Sequence, residues 1–125
     1  MTAPASRPLK FSDAMRLKRS SEFARIKQHG NRIVRGCLIA NWIELPPESV
    51  SRLGVITSRK VGGSVVRSRA RRLLREVFRL NRQDLRCPVD IVLIARRSIA
   101  NLKYTDVEAD YLNVLKRAKL LNPAP

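Results

Sequence analysis

The sequence predicts a small two-layer α/β sandwich of the α+β class, one sheet with helices packed on it, and three features lead there. An apolar β-favouring run, RLGVITS from Arg52 to Ser58, feeds directly into a long amphipathic helix, and a second apolar run, VDIVLIA from Val89 to Ala95, follows that helix. Strand, helix and buried strand make a βαβ unit. The helix between the strands is strongly basic: from Ser58 to Arg82 the chain carries nine Lys or Arg side chains and one acid, Glu76.

Residues 1–15 and 122–125 are polar or proline-rich and read as poorly ordered ends around a single domain over 16–121. Ser20 or Ser21 is placed to cap a first helix through Glu22, Phe23, Ile26 and His29, with Gly30 as its left-handed terminator. Ile33 to Leu45 reads as a strand covered on both faces and bent near Gly36, ended by Pro46 and Pro47. The connection PPESVS has hairpin length and leads to the run at Arg52.

Gly62 and Gly63 let the chain turn into the basic helix, with Ser64 as its N-cap. At about 100° per residue, Val66, Ala70, Leu73, Val77 and Leu80 form a core-facing stripe with Leu74 at its margin. Arg67, Arg71, Arg72, Arg75, Arg79 and Arg82 lie on the opposite arc, and Arg69 stands beside Glu76 at the other margin. After Cys87-Pro88 and the buried strand, a last helix opens with a capping box of Thr105 and Glu108. Its stripe is Val107, Tyr111, Val114, Leu115 and Ala118. The element order is therefore helix, two or three strands, helix, strand, helix.

Composition narrows the partner. In 125 residues, 26 Lys and Arg stand against 10 Asp and Glu, giving a net charge of +16 and a pI near 11.5. Such a balance points to nucleic acid. No apolar run approaches the ~18 residues of a membrane span, no signal peptide opens the chain, and Cys37 and Cys87 lack zinc-ligand spacing, so a cytoplasmic, metal-free protein is expected. Cys37 reads as a buried structural thiol and His29 as a surface residue. Asp13, Asp84, Asp90, Asp106 and Asp110 are scattered, with Asp106 and Asp110 on an exposed helix face, and no catalytic constellation is visible.

The basic helix says more about mechanism. Like charges at i,i+4, such as Arg67 with Arg71 and Arg71 with Arg75, cost an isolated helix a few tenths of a kcal/mol each, about 0.2–0.5. A solvated face is better served by mixed Glu and Lys. Arginine's planar fork donates two parallel hydrogen bonds to phosphate oxygens, which suits an RNA or DNA backbone. Arg59 and Lys60 flank the glycine turn where first-turn N–H groups can add to a phosphate site.

The run Lys60-Val61-Gly62-Gly63-Ser64-Val65-Val66-Arg67-Ser68-Arg69-Ala70-Arg71-Arg72-Leu73-Leu74-Arg75-Glu76 resembles the signature K-x-G-N-A-V-x-R-N-R-x-K-R-x-x-R-E of the bacterial ribonuclease P protein subunit. The resemblance continues through Arg16-Leu17, Phe23, Gly30, Arg52-Leu53-Gly54 and Asp90 to Arg96. It implies one four-stranded, mostly antiparallel sheet in the order α-β-β-β-α-β-α, with a left-handed βαβ crossover, the ribosomal protein S5 domain 2-like fold. It also implies a nuclease subunit that binds a catalytic RNA, one to one, and helps it hydrolyse the 5′ leader from precursor tRNA, with Mg²⁺ held through the RNA and no cofactor or catalytic residue in the protein.

On that resemblance, Arg59, Lys60, Arg67, Arg69, Arg71, Arg72 and Arg75 contact the catalytic RNA, and Phe23, Lys27 and Asn41 line a cleft for the single-stranded leader. Gly63 and Ser68 stand where the family carries asparagines, Lys27 where a second aromatic is common, and Asn41 where a strand tyrosine is frequent. The cleft is thus expected to be less aromatic and more basic. A structural ribosomal or other RNA-binding protein is the alternative; a DNA-binding regulator is disfavoured, because the helix lacks the Asn and Gln side chains of base readout.

Overall fold

The computed structural model describes residues 13–122. Its sheet runs in the order β1 (Asn31–Arg35), β2 (Leu38–Glu44), β4 (Val89–Ala95), β3 (Arg52–Ile56), with β1–β2 and β2–β4 antiparallel and β3–β4 parallel. Helices α1 (Ser20–His29), α2 (Ser64–Asn81) and α3 (Tyr104–Arg117) complete the expected α-β-β-β-α-β-α order. The terminal segments 1–12 and 123–125 lie outside the described residues. Within the expected N-terminal tail, Asp13–Met15 form a single 3-10 turn whose Met15 is buried, and Asn122 donates from its backbone N–H to the Asp84 carbonyl at 2.8 Å.

β4 is buried on both faces because the sheet is covered on both. Its Ile91, Leu93 and Ala95 join the main core with Ala70, Leu74, Val77 and Phe78 of α2 and Val107, Tyr111, Val114 and Leu115 of α3. On the opposite face Val92 packs with Leu17 and with Ile26 of α1, in a small second cluster edged by Phe23, Ile43 and Ile94. The predicted α3 stripe is therefore core, as its period requires.

The predicted stripe of α2 is rotated. The buried residues are Ala70, Leu74, Val77, Phe78 and Asn81, whereas Leu80 is 39% exposed and Leu73 half-buried. At the helical step this turns the core-facing direction by about 60° from the expected one. Phe78, with the larger apolar area, displaces Leu80 from the core. Asn81 can follow it inward because its amide donates to the Val77 carbonyl at 2.9 Å and to Glu108 Oε2 at 3.0 Å.

Three loop and cap expectations are corrected. Ile33 to Leu45 is two strands, not one bent strand, because Gly36 takes φ +50 and Gly36-Cys37 makes a two-residue hairpin with Arg35 opposite Leu38. PPESVS is not a hairpin: Leu45 donates to the Pro88 carbonyl at 2.9 Å and Val89 donates to Ser51 Oγ at 3.0 Å, so the segment passes the start of β4 and delivers β3 to its far side. Gly30 is extended (φ −93, ψ −179), not left-handed; its N–H still donates to Ile26, and a Cβ there would meet the carbonyl oxygen of Ile26 at 2.5 Å.

Helix starts also differ in detail. Gly63, not Ser64, occupies the N-cap of α2, and Arg19 precedes α1, its N–H donating to Glu22 Oε1 at 3.4 Å. At α3 the cap falls two residues earlier than Thr105, with Lys103 N–H donating to Asp106 Oδ2 at 3.0 Å. Glu108 is thereby free to accept from Tyr104 Oη at 2.9 Å as well as from Asn81. Asp110 is no solvated surface acid either: it accepts the Cys37 N–H at 2.9 Å and holds the hairpin turn against α3. The Cys37 thiol, buried as expected, is pushed up to about 12 by burial and by that carboxylate.

Candidate nucleic-acid interface

α1 crosses one face of the sheet and leaves part of it open. Strand alternation puts Arg32, Asn41, Val92 and Gly54 in one row across all four strands, with Val34, Ile39, Ile94 and Ile56 in the next. Beside α1 these rows form a cleft of about 230 Å³ lined by Phe23, Ala24, Lys27, Arg32, Asn41, Ile56, Val92 and Ile94. All three cleft residues expected from the sequence meet there. The floor is aliphatic, Phe23 is a wall, and the exposed Lys27 and Arg32 stand at the rim. Asn41 is only 5% exposed.

Phe23 also lines a second, more polar groove of about 390 Å³, together with Arg16, Lys18, Gly54, Arg75 and Asp13, whose carboxylate pairs with Lys18 and leaves the arginines as its net charge. Burial first, then the nearby Arg16 and Arg71 charges, holds the Arg75 guanidinium below its ordinary pKa. Cations gathered at this density favour a polyanion. The aromatic ring thus stands between a basic groove and an apolar-floored cleft, the pairing of phosphate-tracking charge and stacking surface that single-stranded nucleic acid uses.

The rotation of α2 redistributes its arginines. Arg72 is exposed outright, while Arg71 donates to Thr57 Oγ1 at 2.8 Å and Ser68 Oγ at 3.1 Å. Arg79 is paired with Glu76 at 2.6 Å, and Arg69 donates to the Leu102 carbonyl at 2.5 Å. The Arg67 Nε is buried with no hydrogen-bond partner among the described residues. Arg59 and Lys60 are exposed on a single 3-10 turn, Arg59–Val61, before the helix, with the Lys60 N–H donating to Ser58 Oγ at 3.3 Å. Of the six guanidiniums expected on one face, Arg79 is paired with Glu76 and Arg82 lies past the helix end on the 3-10 turn Arg82–Asp84, donating to Met15 Sδ at 3.2 Å, so the band along the flank of α2 is Arg67, Arg71, Arg72 and Arg75.

In the sequence Asp90 is one of several scattered acids; in the structure it is fully buried at the centre of an ion network. Arg52 donates to it from Nε at 2.9 Å and from Nη2 at 2.7 Å, and Arg25 from Nη2 at 3.3 Å. Arg52 Nη1 also donates to Glu22 Oε2 at 2.8 Å. Burial would raise the Glu22 carboxyl, but the bonds from Arg52 and the Arg19 N–H outweigh it and hold the group below its ordinary range. Removing Arg52 would leave the fully buried Asp90 carboxylate with Arg25 at 3.3 Å as its remaining guanidinium partner among the described residues, at a cost of up to about 3–5 kcal/mol, whereas losing the half-exposed Arg25 would cost less.

Among the described residues, no group of three His, Cys, Asp or Glu side chains is placed to hold a metal ion, and no helix is long and apolar enough to cross a membrane. A single sheet with a helix lying across one face, an arginine-rich crossover helix on the other, and an aliphatic-floored cleft walled by Phe23 beside a basic groove define a small RNA-binding protein of the α+β class. Comparison with known proteins makes this specific. The ribonuclease P family profile matches residues 11–119, and the chain belongs to that family.

The ribonuclease P protein component of Clostridium novyi is 35% identical over 108 residues, spanning 86% of this chain and 96% of the relative; that of Clostridium acetobutylicum is 36% identical over 110 residues, spanning 85% and 90%. Among solved structures, the Staphylococcus aureus RNase P protein superposes with a TM-score of 0.77 at 27% identity, covering 86% of this chain and 98% of that one. The Thermotoga maritima RNase P protein gives 0.72 at 28% identity, covering 82% and 96%.

Proposed function

We propose that this chain, as the protein component of ribonuclease P, binds the catalytic RNA through the α2 flank and its entry turn and receives the 5′ leader of precursor tRNA in the cleft between α1 and the sheet. The supporting observation is Phe23. It lines both the cleft and the basic groove that reaches Arg75, so one extended strand can run from the arginine band across the ring and onto the aliphatic floor. Bond cleavage is assigned to the RNA, with Mg²⁺ carried there, and the protein contributes binding and orientation, a saving of entropy rather than a reactive group. One protein per RNA is the expected stoichiometry.

Reconstitution with a bacterial ribonuclease P RNA tests this reading. The protein is expected to accelerate 5′ processing at low Mg²⁺ and to bind precursor tRNA more tightly than leaderless tRNA. Equal affinity for the two tRNAs would remove the leader from the cleft, and an absence of acceleration would favour a purely structural RNA-binding role.

A further inference from the structure

Phe23 has two neighbours on α1 whose side chains leave the cleft altogether. Glu22 reaches Arg52 at 2.8 Å, and Arg25 reaches Asp90 at 3.3 Å. Arg52 and Asp90 are themselves paired in register across β3 and β4 and joined by two hydrogen bonds of 2.9 and 2.7 Å. The next row on that face is Gly54 opposite Val92, which lies about 7 Å further along the strands. Gly54 is the residue against which Phe23 rests.

A buried ion network is an expensive way to attach a helix, because apolar side chains of the same volume would hold it at least as firmly. Charges add something apolar contacts do not. A guanidinium donating to one carboxylate from two nitrogens fixes direction as well as distance. Here Arg52 is clamped between a sheet carboxylate and a helix carboxylate. Apolar packing of α1 rests on few residues, chiefly Ile26 with Leu17 and Val92, which leaves rotation of the helix about its axis weakly specified. The ion pairs at Glu22 and Arg25, about 60° apart on the helix surface beside Phe23, remove that freedom.

We infer that Arg52 and Asp90 are positioning residues for the single-strand cleft: acting through Glu22 and Arg25, they fix the seat of Phe23 and so set leader affinity without lining the cleft themselves. The inference rests on the reading of the cleft as the leader site. A ring displaced by a small rotation of α1 would no longer bridge groove and floor, and recognition depends on placement at that scale.

The test uses the holoenzyme reconstituted with a bacterial ribonuclease P RNA, and reads the ratio of affinities for precursor tRNA and leaderless tRNA. Asp90→Asn should lower that ratio about tenfold and Glu22→Gln by a smaller factor, while affinity for the catalytic RNA stays unchanged. Combined with Phe23→Ala, each should lower the ratio no further than Phe23→Ala does alone, since all act on one ring. A generally destabilised protein would instead lose catalytic-RNA affinity in parallel. If Asp90→Asn does not fold, as melting would reveal, Glu22→Gln with and without Phe23→Ala decides the matter. Ratios unaffected by both substitutions, or effects that add to Phe23→Ala, overturn the positioning role. A ratio of one in the unsubstituted protein overturns the leader reading beneath it.

Discussion

The ring of Phe23 fills the space that a side chain at position 54 would need: a Cβ on Gly54 would lie 2.5 Å from Phe23 Cε1 and 2.6 Å from Cζ. Glycine is required there by close approach of the ring. Gly54→Ala is expected to push Phe23 out of its seat, cost about 1–3 kcal/mol of stability as an overpacked site does, and weaken leader binding. Urea unfolding of Gly54→Ala, Phe23→Ala and the double variant checks this. The double should be more stable than the sum of the singles implies, and strict additivity would mean the two residues are not in steric conflict.

Salt dependence distinguishes the arginines of α2. Neutralising Arg67, Arg71 and Arg75 together should flatten the log-log salt slope of catalytic-RNA binding by roughly 0.7 to 0.9 for every phosphate that one of them neutralises. Arg79→Gln should change it less, because Arg79 is already paired with Glu76 at 2.6 Å. An unchanged slope in the triple variant would take this flank out of the interface.

Leader binding should lean on phosphate interactions more than on stacking. Lys27 stands where a second aromatic is common, and Lys27 and Arg32 supply positive charge at the cleft rim over an aliphatic floor. The leader-dependent part of the affinity is therefore expected to fall as salt rises and to survive Phe23→Ala in part. Leader affinity that is indifferent to salt yet abolished by Phe23→Ala would contradict this.

Tyr104 gives the fold an alkaline limit. Burial, then its hydrogen bond to Glu108, raises the Tyr104 phenol from 10.0 to about 12. A pKa raised by folding means the protonated group stabilises the folded state, fully below about pH 10, with the contribution fading as pH climbs through about 12. Thermal melting from pH 9 to 12 should show Tyr104→Phe less stable than the parent at pH 9 and the difference narrowing as pH rises. A constant difference would place the tyrosine's contribution in packing alone.

What can be read from the sequence follows from the range of the physics involved. The α3 stripe and the β3–α2–β4 unit depend on local periodicity, and both are present in the structure. The α2 stripe is displaced because several registers of an Arg- and Leu-rich helix look amphipathic, and only packing selects Phe78 over Leu80. The role of Asp90 is not legible locally because its partners Arg52 and Arg25 lie 38 and 65 positions away. Phe23, Lys27 and Asn41 come from family resemblance. Arg32, Ile56, Val92 and Ile94 join them only once the strand order is known, although the alternation Asp90, Val92, Ile94 already marks one face of a two-sided strand.

The unequal cover of the two sheet faces has a mechanical consequence. α2 is sunk in the main core with α3, whereas α1 is fastened by a small apolar cluster and an ion network. Segments with little buried apolar packing open first, well before the whole chain unfolds. Amide exchange should accordingly be quickest along α1 among the three helices, so that partial opening sheds the cleft wall first, ring and ion network together, while the half carrying the arginine band remains a rigid template.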